Sequence, residues 1–144
     1  MSTTQPILVL RGRAGVGPAV EGEALVSSQA FSSRYDMDRV RGVFSRPEHD
    51  LYQQSYVDKI LVFTTAKGGI ATSWTLLDLK ARGLAPKALI FRRTNPVMVQ
   101  GAVLADLPLL HCLDPDPVST LRTGDWLRIM PALGLVEVLH RPNR

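Results

Sequence analysis

The fold of this 144-residue chain is decided by residues 57–110, which read VDKILVFTTAKGGIATSWTLLDLKARGLAPKALIFRRTNPVMVQGAVLADLPLL. Two continuous apolar runs, residues 60–63 and 88–91, are typical of strands buried on both faces of a sheet. From Trp74 onward, apolar residues that include Leu77 and Ala81 recur at helical spacing until Gly83 ends the helix. The stretch therefore predicts an α/β fold with a short parallel sheet core flanked by helices.

A second helix is predicted after the basic turn. Asn95 can cap a helix and Pro96 suits its first position, so the helix should begin at this pair. Its predicted packing face consists of small or flexible residues, which suit close contact with a neighbour: Val97, Met98, Gly101, Ala102 and Ala105. A short strand over residues 108–110 follows.

The flanking regions add β structure to the same domain, which we take to span residues 1–144. Strands are predicted over residues 7–13 and 22–27, and a closing hairpin over residues 126–129 and 135–139. Residues 28–54 show little periodicity and are long for a loop in a compact domain. Because aromatic residues punctuate this segment, we expect it to pack on the rest of the fold.

The composition favours an ordinary globular protein, with 45% hydrophobic and 21% charged residues. No apolar run approaches the roughly 18 residues of a membrane span, and the N-terminus lacks the features of a signal peptide. We therefore expect a cytoplasmic protein without membrane contact. The net charge of +4 comes from scattered or paired basic residues without interleaved aromatics, so no nucleic-acid partner is predicted.

The sequence predicts no metal site on this chain. Cys112 is the only cysteine, which excludes an internal disulfide and a self-sufficient zinc or iron–sulfur site. We expect its thiol to be buried beside the strand that precedes it. The three histidines have no metal-ligand spacing. His49, in the polar segment, is the best candidate for acid–base chemistry or substrate contact.

Two loops that link a strand to a helix carry the residues of a candidate site. Parallel strands place the loops after Phe63 and Phe91 at the same edge of the sheet, where open α/β sheets bind ligands. The helices that follow direct unpaired N–H groups and positive dipole ends to that edge. The candidate substrate-binding residues of these loops are Lys67, Gly68, Gly69, Arg92 and Arg93.

Hydroxyl groups at the start of the first helix complete this candidate site. Thr72 and Ser73 are the candidate catalytic residues, although either residue taken alone is more typical of a plain helix cap. The glycines could form only a turn, and the cations could be solvated surface. Both loops together favour a small anionic substrate. Because the chain holds no complete catalytic set, we expect another chain to supply the rest of the active site.

Four segments, in order, resemble the swivel domain or small subunit of the aconitase X family: GEALVS, RPEHDLYQQS, KGGIATS and RRTNPVMVQGAVLADLPLL. The resemblance covers roughly residues 12–129. It implies a swivelling β/β/α domain and a hydro-lyase that removes water from a small hydroxylated carboxylate, such as cis-3-hydroxy-L-proline or, in archaeal members, phosphomevalonate. It also implies a larger partner subunit that carries an iron or iron–sulfur centre, so this chain would bind no cofactor and be inactive alone.

The sequence departs from the family pattern in the glycine loop, where family members carry the catalytic base. Family members commonly have a loop like GRGSSTGS with a serine as the base, whereas here Gly69 and Ile70 replace two serines and Ser73 matches only the last. Ser73 or Thr72 could have taken the role, the base could come from elsewhere, or the substrate could differ. The usual glycine-rich segment after Phe31 is also replaced, by residues 32–34 (SSR).

Two other functions fit part of the sequence. A stand-alone binding or regulatory module for an anionic metabolite would use the same site without a partner. A mobile phosphohistidine domain is suggested by GGIATSW, which resembles GGxxSH-type loops. Trp74 stands where the phosphorylated histidine would be and cannot carry phosphate, so this alternative is disfavoured.

Overall fold

The computed structural model describes residues 5–69 and 71–142. Its elements follow the chain in this order: β1 (Leu8–Arg11), β2 (Val20–Val26), α1 (Ser33–Asp36), β3 (Met37–Asp38), β4 (Val43–Phe44), β5 (Lys59–Thr65), α2 (Ala71–Ala81), β6 (Ala88–Arg93), α3 (Pro96–Leu104), β7 (Leu109–His111), α4 (Pro117–Thr120), β8 (Trp126–Met130) and β9 (Leu135–His140). A 3-10 turn, Pro131–Leu133, joins the last two strands. No helix in these ranges is long and apolar enough to cross a bilayer.

Seven strands form one mixed sheet in the order β1-β9-β8-β2-β5-β6-β7. Strands β2, β5, β6 and β7 form a parallel set, while the pairs β1–β9, β9–β8 and β8–β2 are antiparallel. The predicted parallel core and closing hairpin are therefore confirmed. Residues 60–63 of β5 and 88–91 of β6 are apolar and buried, because both sheet faces are covered there.

The sheet curls until its two ends meet. Val16, just after β1, pairs with Leu109 of β7, and Arg11 pairs with Asp114. The enclosed face holds an aliphatic core contributed by nearly every strand: Leu10, Ala24, Ile60, Val62, Ile90, Leu110, Leu127, Ile129, Val136 and Val138. Alternate residues of the same strands point to the opposite face.

That opposite face is covered by α2, α3 and the segment between β2 and β5. Aromatic rings dominate this second core, where Phe31 stacks on Phe63 with ring centroids 4.4 Å apart. Phe44 and Phe91 contact the same ring of Phe63. The expectation that residues 28–54 pack on the fold is confirmed for Phe31 and Phe44, both fully buried.

Long-range side-chain contacts order the segment 28–54, which showed no regular pattern. The Asp50 carboxylate accepts hydrogen bonds from Ser27 Oγ at 2.6 Å and from Ser28 N at 2.9 Å. Burial raises the pKa of Asp50, but these hydrogen bonds outweigh it and leave the pKa below its usual value. These hydrogen bonds hold the segment 28–54 against the end of β2.

Two expectations about burial are wrong. Trp74 and Leu77 are 67% and 36% exposed, because α2 packs through a different face, which carries the fully buried Leu76 and Leu79. At the α2–α3 crossing, a side chain on Gly101 would come within 3.0 Å of Ser73 Cα, so the predicted small-residue face of α3 is confirmed. Cys112 is exposed rather than buried, since it follows β7 in a left-handed conformation with φ of 57°.

Candidate functional site

The two loops predicted to form the site lie at one edge of the sheet. Thr65 of β5 is opposite Arg93 of β6 in the parallel register, so both strands end together. Asn95 then connects the loops, because its Nδ2 donates to the carbonyl of Ala66 at 3.2 Å. Its Oδ1 accepts from Met98 N at 2.8 Å and caps α3. The common location of the loops is therefore confirmed.

The glycine loop is accessible at this edge. Lys67, Gly68 and Gly69 are all exposed, and Lys67 N donates to Phe31 O at 2.8 Å, which ties the loop to the chain after β2. Gly68 has φ of 110°, a conformation that side chains disfavour. A side chain at Gly69 would meet no atom within 4 Å. Ile70 lies outside the described residues.

Thr72 and Ser73 point in different directions from the start of α2. The Thr72 hydroxyl lies against the glycine loop, 2.6 Å from the position that a Cβ of Gly68 would occupy. The Ser73 hydroxyl instead makes a weak hydrogen bond of 3.5 Å to Val97 O in α3. Of the two predicted catalytic residues, Thr72 therefore faces the candidate site and Ser73 faces the helix packing.

Ser32 lies beside the candidate site, which the residue patterns did not reveal. Its hydroxyl lies 3.8 Å from the same Cβ position of Gly68, although it is 40 residues from Thr72 in the chain. The only signal was the replacement of the family's glycines after Phe31 by residues 32–34. Asp36 fixes the backbone here: its Oδ2 accepts from Ser32 N at 2.8 Å, and its own N–H donates to Ser32 O at 2.9 Å.

The two predicted arginines differ in their partners. Arg92 makes a two-pronged ion pair with Asp116, with Nε and Nη2 at 3.0 and 2.9 Å from the carboxylate oxygens. The hydrogen bond from Arg92 holds the pKa of Asp116 below its ordinary value. Arg93 is exposed and pairs with no acidic group among residues 5–69 and 71–142. Arg93 is therefore the freer cation for a ligand.

The Arg92–Asp116 pair predicts a pH dependence of stability. Because the folded-state pKa of Asp116 lies below the ordinary 3.8, its contribution is present above that value and is lost as pH falls through the lower folded pKa. We expect the wild type to be more stable than Asp116→Asn near neutral pH and the two free energies of unfolding to converge as the pH falls well below 3.8. Urea titrations of both proteins at several pH values measure this, and a gap that persists in acid would contradict it.

His49 is held inside the fold. It is 2% exposed, stacks on Phe44, and its Nδ1 accepts from Leu51 N while its Nε2 lies 3.2 Å from Ala30 O. Both ring nitrogens therefore contact backbone groups. This geometry supports a structural role for His49 in ordering the segment before Ser32, and it offers no support for the predicted substrate contact.

Positive charge also surrounds the end of β7. Burial lowers the pKa of His111, and the nearby charges of Arg13 and Arg93 lower it further. A cavity of about 410 Å³ lies beside His111 and is also lined by Thr94, Pro96 and Val99. The edge thus combines space for a small molecule with a positive potential.

The donor atoms of this chain do not fit an iron or iron–sulfur centre. Within the described ranges, no three histidine, cysteine or acidic side chains converge on one point. Cys112 Sγ lies 3.4 Å from His111 Nδ1, but no further ligand joins them. The ligands of any such centre would have to come from another chain.

Named relatives share this sequence over most of its length. The chain is 38% identical to the phosphomevalonate dehydratase small subunit of Thermococcus gammatolerans over 130 residues, which is 90% of this chain and 97% of that protein. The same-named proteins of Pyrococcus horikoshii and Methanococcoides burtonii are 37% and 36% identical, over 93% and 84% of this chain and 98% and 88% of theirs.

Solved structures share the fold. The crystal structure of Thermococcus kodakaraensis aconitase X in its holo-form matches with a TM-score of 0.86 and 35% identity, over 92% of this chain and 99% of the other. A solution NMR structure of a UPF0107 protein matches with a TM-score of 0.84 and 31% identity, over 92% and 100% of the two chains. The family described as the aconitase X swivel domain matches residues 9–138. This chain therefore belongs to the aconitase X swivel domain family.

Proposed function

We propose that this chain is the small subunit of an aconitase X-type dehydratase, in which it completes an active site with a larger subunit. The enzyme removes water from a small hydroxylated carboxylate. The family match supports this proposal, since the named relatives are dehydratase small subunits. The larger subunit would also carry the iron or iron–sulfur centre that the family resemblance implies.

The observation that carries the proposal is the presence of unpaired cationic side chains where the parallel strands β5 and β6 end. Lys67 and Arg93 are exposed there, and neither side chain has a hydrogen-bond or ion-pair partner within the described part of the chain. The edge brings together cations, hydroxyl groups and His111, but the described residues hold no group of three metal-ligating side chains there. Such an arrangement can bind and orient an anion, but it leaves the rest of the chemistry to a second chain.

The charge of the edge favours phosphomevalonate over cis-3-hydroxy-L-proline. Phosphomevalonate carries a phosphate and a carboxylate, whereas the proline derivative is a zwitterion whose ammonium group would lie near cations. Lys67, Arg93 and Arg13 bring positive charge to the same edge, and Arg93 and Arg13 both lower the pKa of His111. Opposite charges in such a confined site favour the more anionic substrate.

The direct test is co-expression with the large subunit, followed by mass measurement of the substrate after incubation. We expect the purified pair to remove one water from phosphomevalonate and the small chain alone to leave it unchanged. Activity on cis-3-hydroxy-L-proline instead would move the assignment to the other family substrate. A pair that dehydrates neither compound would refute the proposed function. Tight binding of an anionic metabolite by the isolated chain would then favour a stand-alone module.

Exposed apolar side chains beside the glycine loop suit the contact with that larger subunit. Trp74, 67% exposed, lies in the first turns of α2, and Leu77 follows one turn later on the same helix. Large aromatic residues at the centre of an interface contribute a major share of binding energy. We expect Trp74→Ala to weaken subunit association by about 2 kcal/mol, or roughly thirtyfold in Kd.

Isothermal titration calorimetry of the two purified subunits measures this change. The matched control is Leu133→Ala, which removes a 70% exposed apolar side chain from the turn between β8 and β9, an element separate from α2. We expect the control to leave the Kd unchanged. Equal effects of both substitutions would place the interface elsewhere.

A further inference from the structure

Two buried hydroxyl groups beside the glycine loop have no hydrogen-bond partner. Ser32 is 7% exposed and Thr72 is 1% exposed, and neither hydroxyl oxygen contacts a donor or acceptor among the described residues. Nearly all buried polar groups in native proteins are hydrogen-bonded, because an unpaired group loses its contact with water without compensation. An unpaired buried pair at a candidate site indicates that a ligand supplies the missing partner.

The two hydroxyls converge although they come from different elements. Ser32 follows β2 and Thr72 lies in the first turn of the 11-residue helix α2. Both lie beside Gly68, at 3.8 and 2.6 Å from the position of its absent Cβ. The positive end of the α2 dipole and the exposed Lys67 lie at the same place.

The surroundings of these hydroxyls favour a role as hydrogen-bond donors over a role as general bases. The carboxylate of Asp36, which contacts Ser32, already accepts from Ser32 N at 2.8 Å and from Arg46 Nε at 2.6 Å. Neither hydroxyl donates a hydrogen bond to an acceptor among the described residues. A hydroxyl without an adjacent base is a weak nucleophile and a poor proton acceptor, but it donates readily to an anion.

We propose that the hydroxyls of Ser32 and Thr72 form a two-donor subsite that binds one oxyanion group, a carboxylate or a phosphate, beside Gly68. The subsite deepens the proposed function, because that oxyanion would belong to the dehydratase substrate. It also accounts for two departures from the family pattern at once. Serine after Phe31 and threonine at position 72 add hydroxyls where the loop serines are missing.

Gly68 lies beside both hydroxyls, so we expect its backbone to respond when an anion binds there. Its φ of 110° is a conformation that glycine adopts without a steric penalty. A side chain at this position would collide with Thr72 Oγ1. The amide signal of Gly68 should therefore be the most sensitive reporter of anion binding.

The test is an NMR titration of the isolated, isotope-labelled chain with sodium phosphate and, separately, with sodium acetate at constant ionic strength. We expect saturable shifts of the Gly68, Gly69 and Thr72 amides, and the stronger of the two titrations identifies the oxyanion. Ser32→Ala and Thr72→Val should each weaken that binding by about tenfold, the value of one hydrogen bond to a charged group. Unchanged affinity in both variants, or shifts confined to other residues, would overturn the subsite.

Thr75→Val is the matched control, because the Thr75 hydroxyl lies one turn further along α2 and is already bonded to Ala71 O at 2.9 Å. It should leave anion binding unchanged. A second readout needs no ligand: loss of an unpaired hydroxyl should keep or raise the melting temperature in Ser32→Ala and Thr72→Val. A fall in both variants as large as that in Thr75→Val would show that the hydroxyls are paired and would refute the subsite.

Failure of the subsite and failure of the proposed function give different results. If the co-expressed pair dehydrates phosphomevalonate while anion shifts near Gly68 are absent, only the subsite is wrong. If the shifts appear and depend on both hydroxyls while the pair has no dehydratase activity, the anion site stands and the proposed function is wrong.

Discussion

Replacing Asp36 by alanine is expected to lower the free energy of unfolding by about 3 kcal/mol. The Asp36 carboxylate is 3% exposed and accepts from Arg46 Nε at 2.6 Å and from Ser32 N at 2.8 Å. Its removal leaves the buried N–H of Ser32 without an acceptor and separates Arg46 from its counter-charge. Because Asp36 fixes the backbone of Ser32, we also expect weaker anion binding beside Gly68.

Urea denaturation of the isolated chain measures the loss. Asp78→Ala is the control, since Asp78 also pairs with arginines, at 3.2 Å from Arg39 and 3.0 Å from Arg82, but is 31% exposed. Exposed ion pairs contribute about 1 kcal/mol or less, so the control should change stability little. Similar losses for both variants would mean that Asp36 does not order the segment 28–54.

Replacing Gly15 by alanine should destabilise the fold by a similar amount, about 3 kcal/mol or more. The new Cβ would lie 2.0 Å from the carbonyl oxygen of Leu109, and backbone atoms cannot rotate away as a side chain can. The chain after β1 would have to shift. That shift would break the paired hydrogen bonds between Val16 and Leu109, each 3.0 Å long, which close the sheet.

Gly69→Ala is the control for this prediction, because its added methyl group would meet no atom within 4 Å. We expect it to change stability by no more than about 0.5 kcal/mol. Thermal melts of the two variants beside the wild type give the comparison. If Gly15→Ala had the same melting temperature as Gly69→Ala, the sheet would not close through this contact.

The parallel core could be predicted because its signals are local. Continuous apolar runs mark β5 and β6, and the Asn95-Pro96 pair marks the start of α3, so each element is encoded within a few residues. The curling of the sheet is not encoded in this way. It depends on β1 pairing with β9 and on Val16 meeting Leu109, contacts between residues about a hundred positions apart.

The candidate site was predictable only where the fold dictates it. Parallel strands guarantee that the loops after β5 and β6 share an edge, so Lys67, Gly68 and Arg93 could be placed together. Side-chain direction is a finer property: Arg92 and Arg93 are neighbours in β6, whose side chains alternate between faces, and Arg92 meets Asp116.

Other residues of the site depend on tertiary contacts that no pattern specifies. Ser32 reaches Gly68 because two contacts hold its surroundings in place. His49 contacts the carbonyl of Ala30 before it, and Asp36 after it accepts from Ser32 N. The burial of His49 follows from its stacking on Phe44, which a polar sequence context does not predict. The four-residue helix α4 was also not predicted, since it is too short to show a period.

The closure of the sheet limits how a second subunit can attach. Strand addition, the mode called β-augmentation, needs a free row of backbone donors and acceptors along an edge strand. Here β1 and β7, the outermost strands, are brought together by backbone pairs at Val16 and Arg11. These two edges therefore offer no continuous row of free backbone groups for strand addition, and a substitution such as Trp74→Ala on α2 leaves the backbone pairs that close the sheet in place.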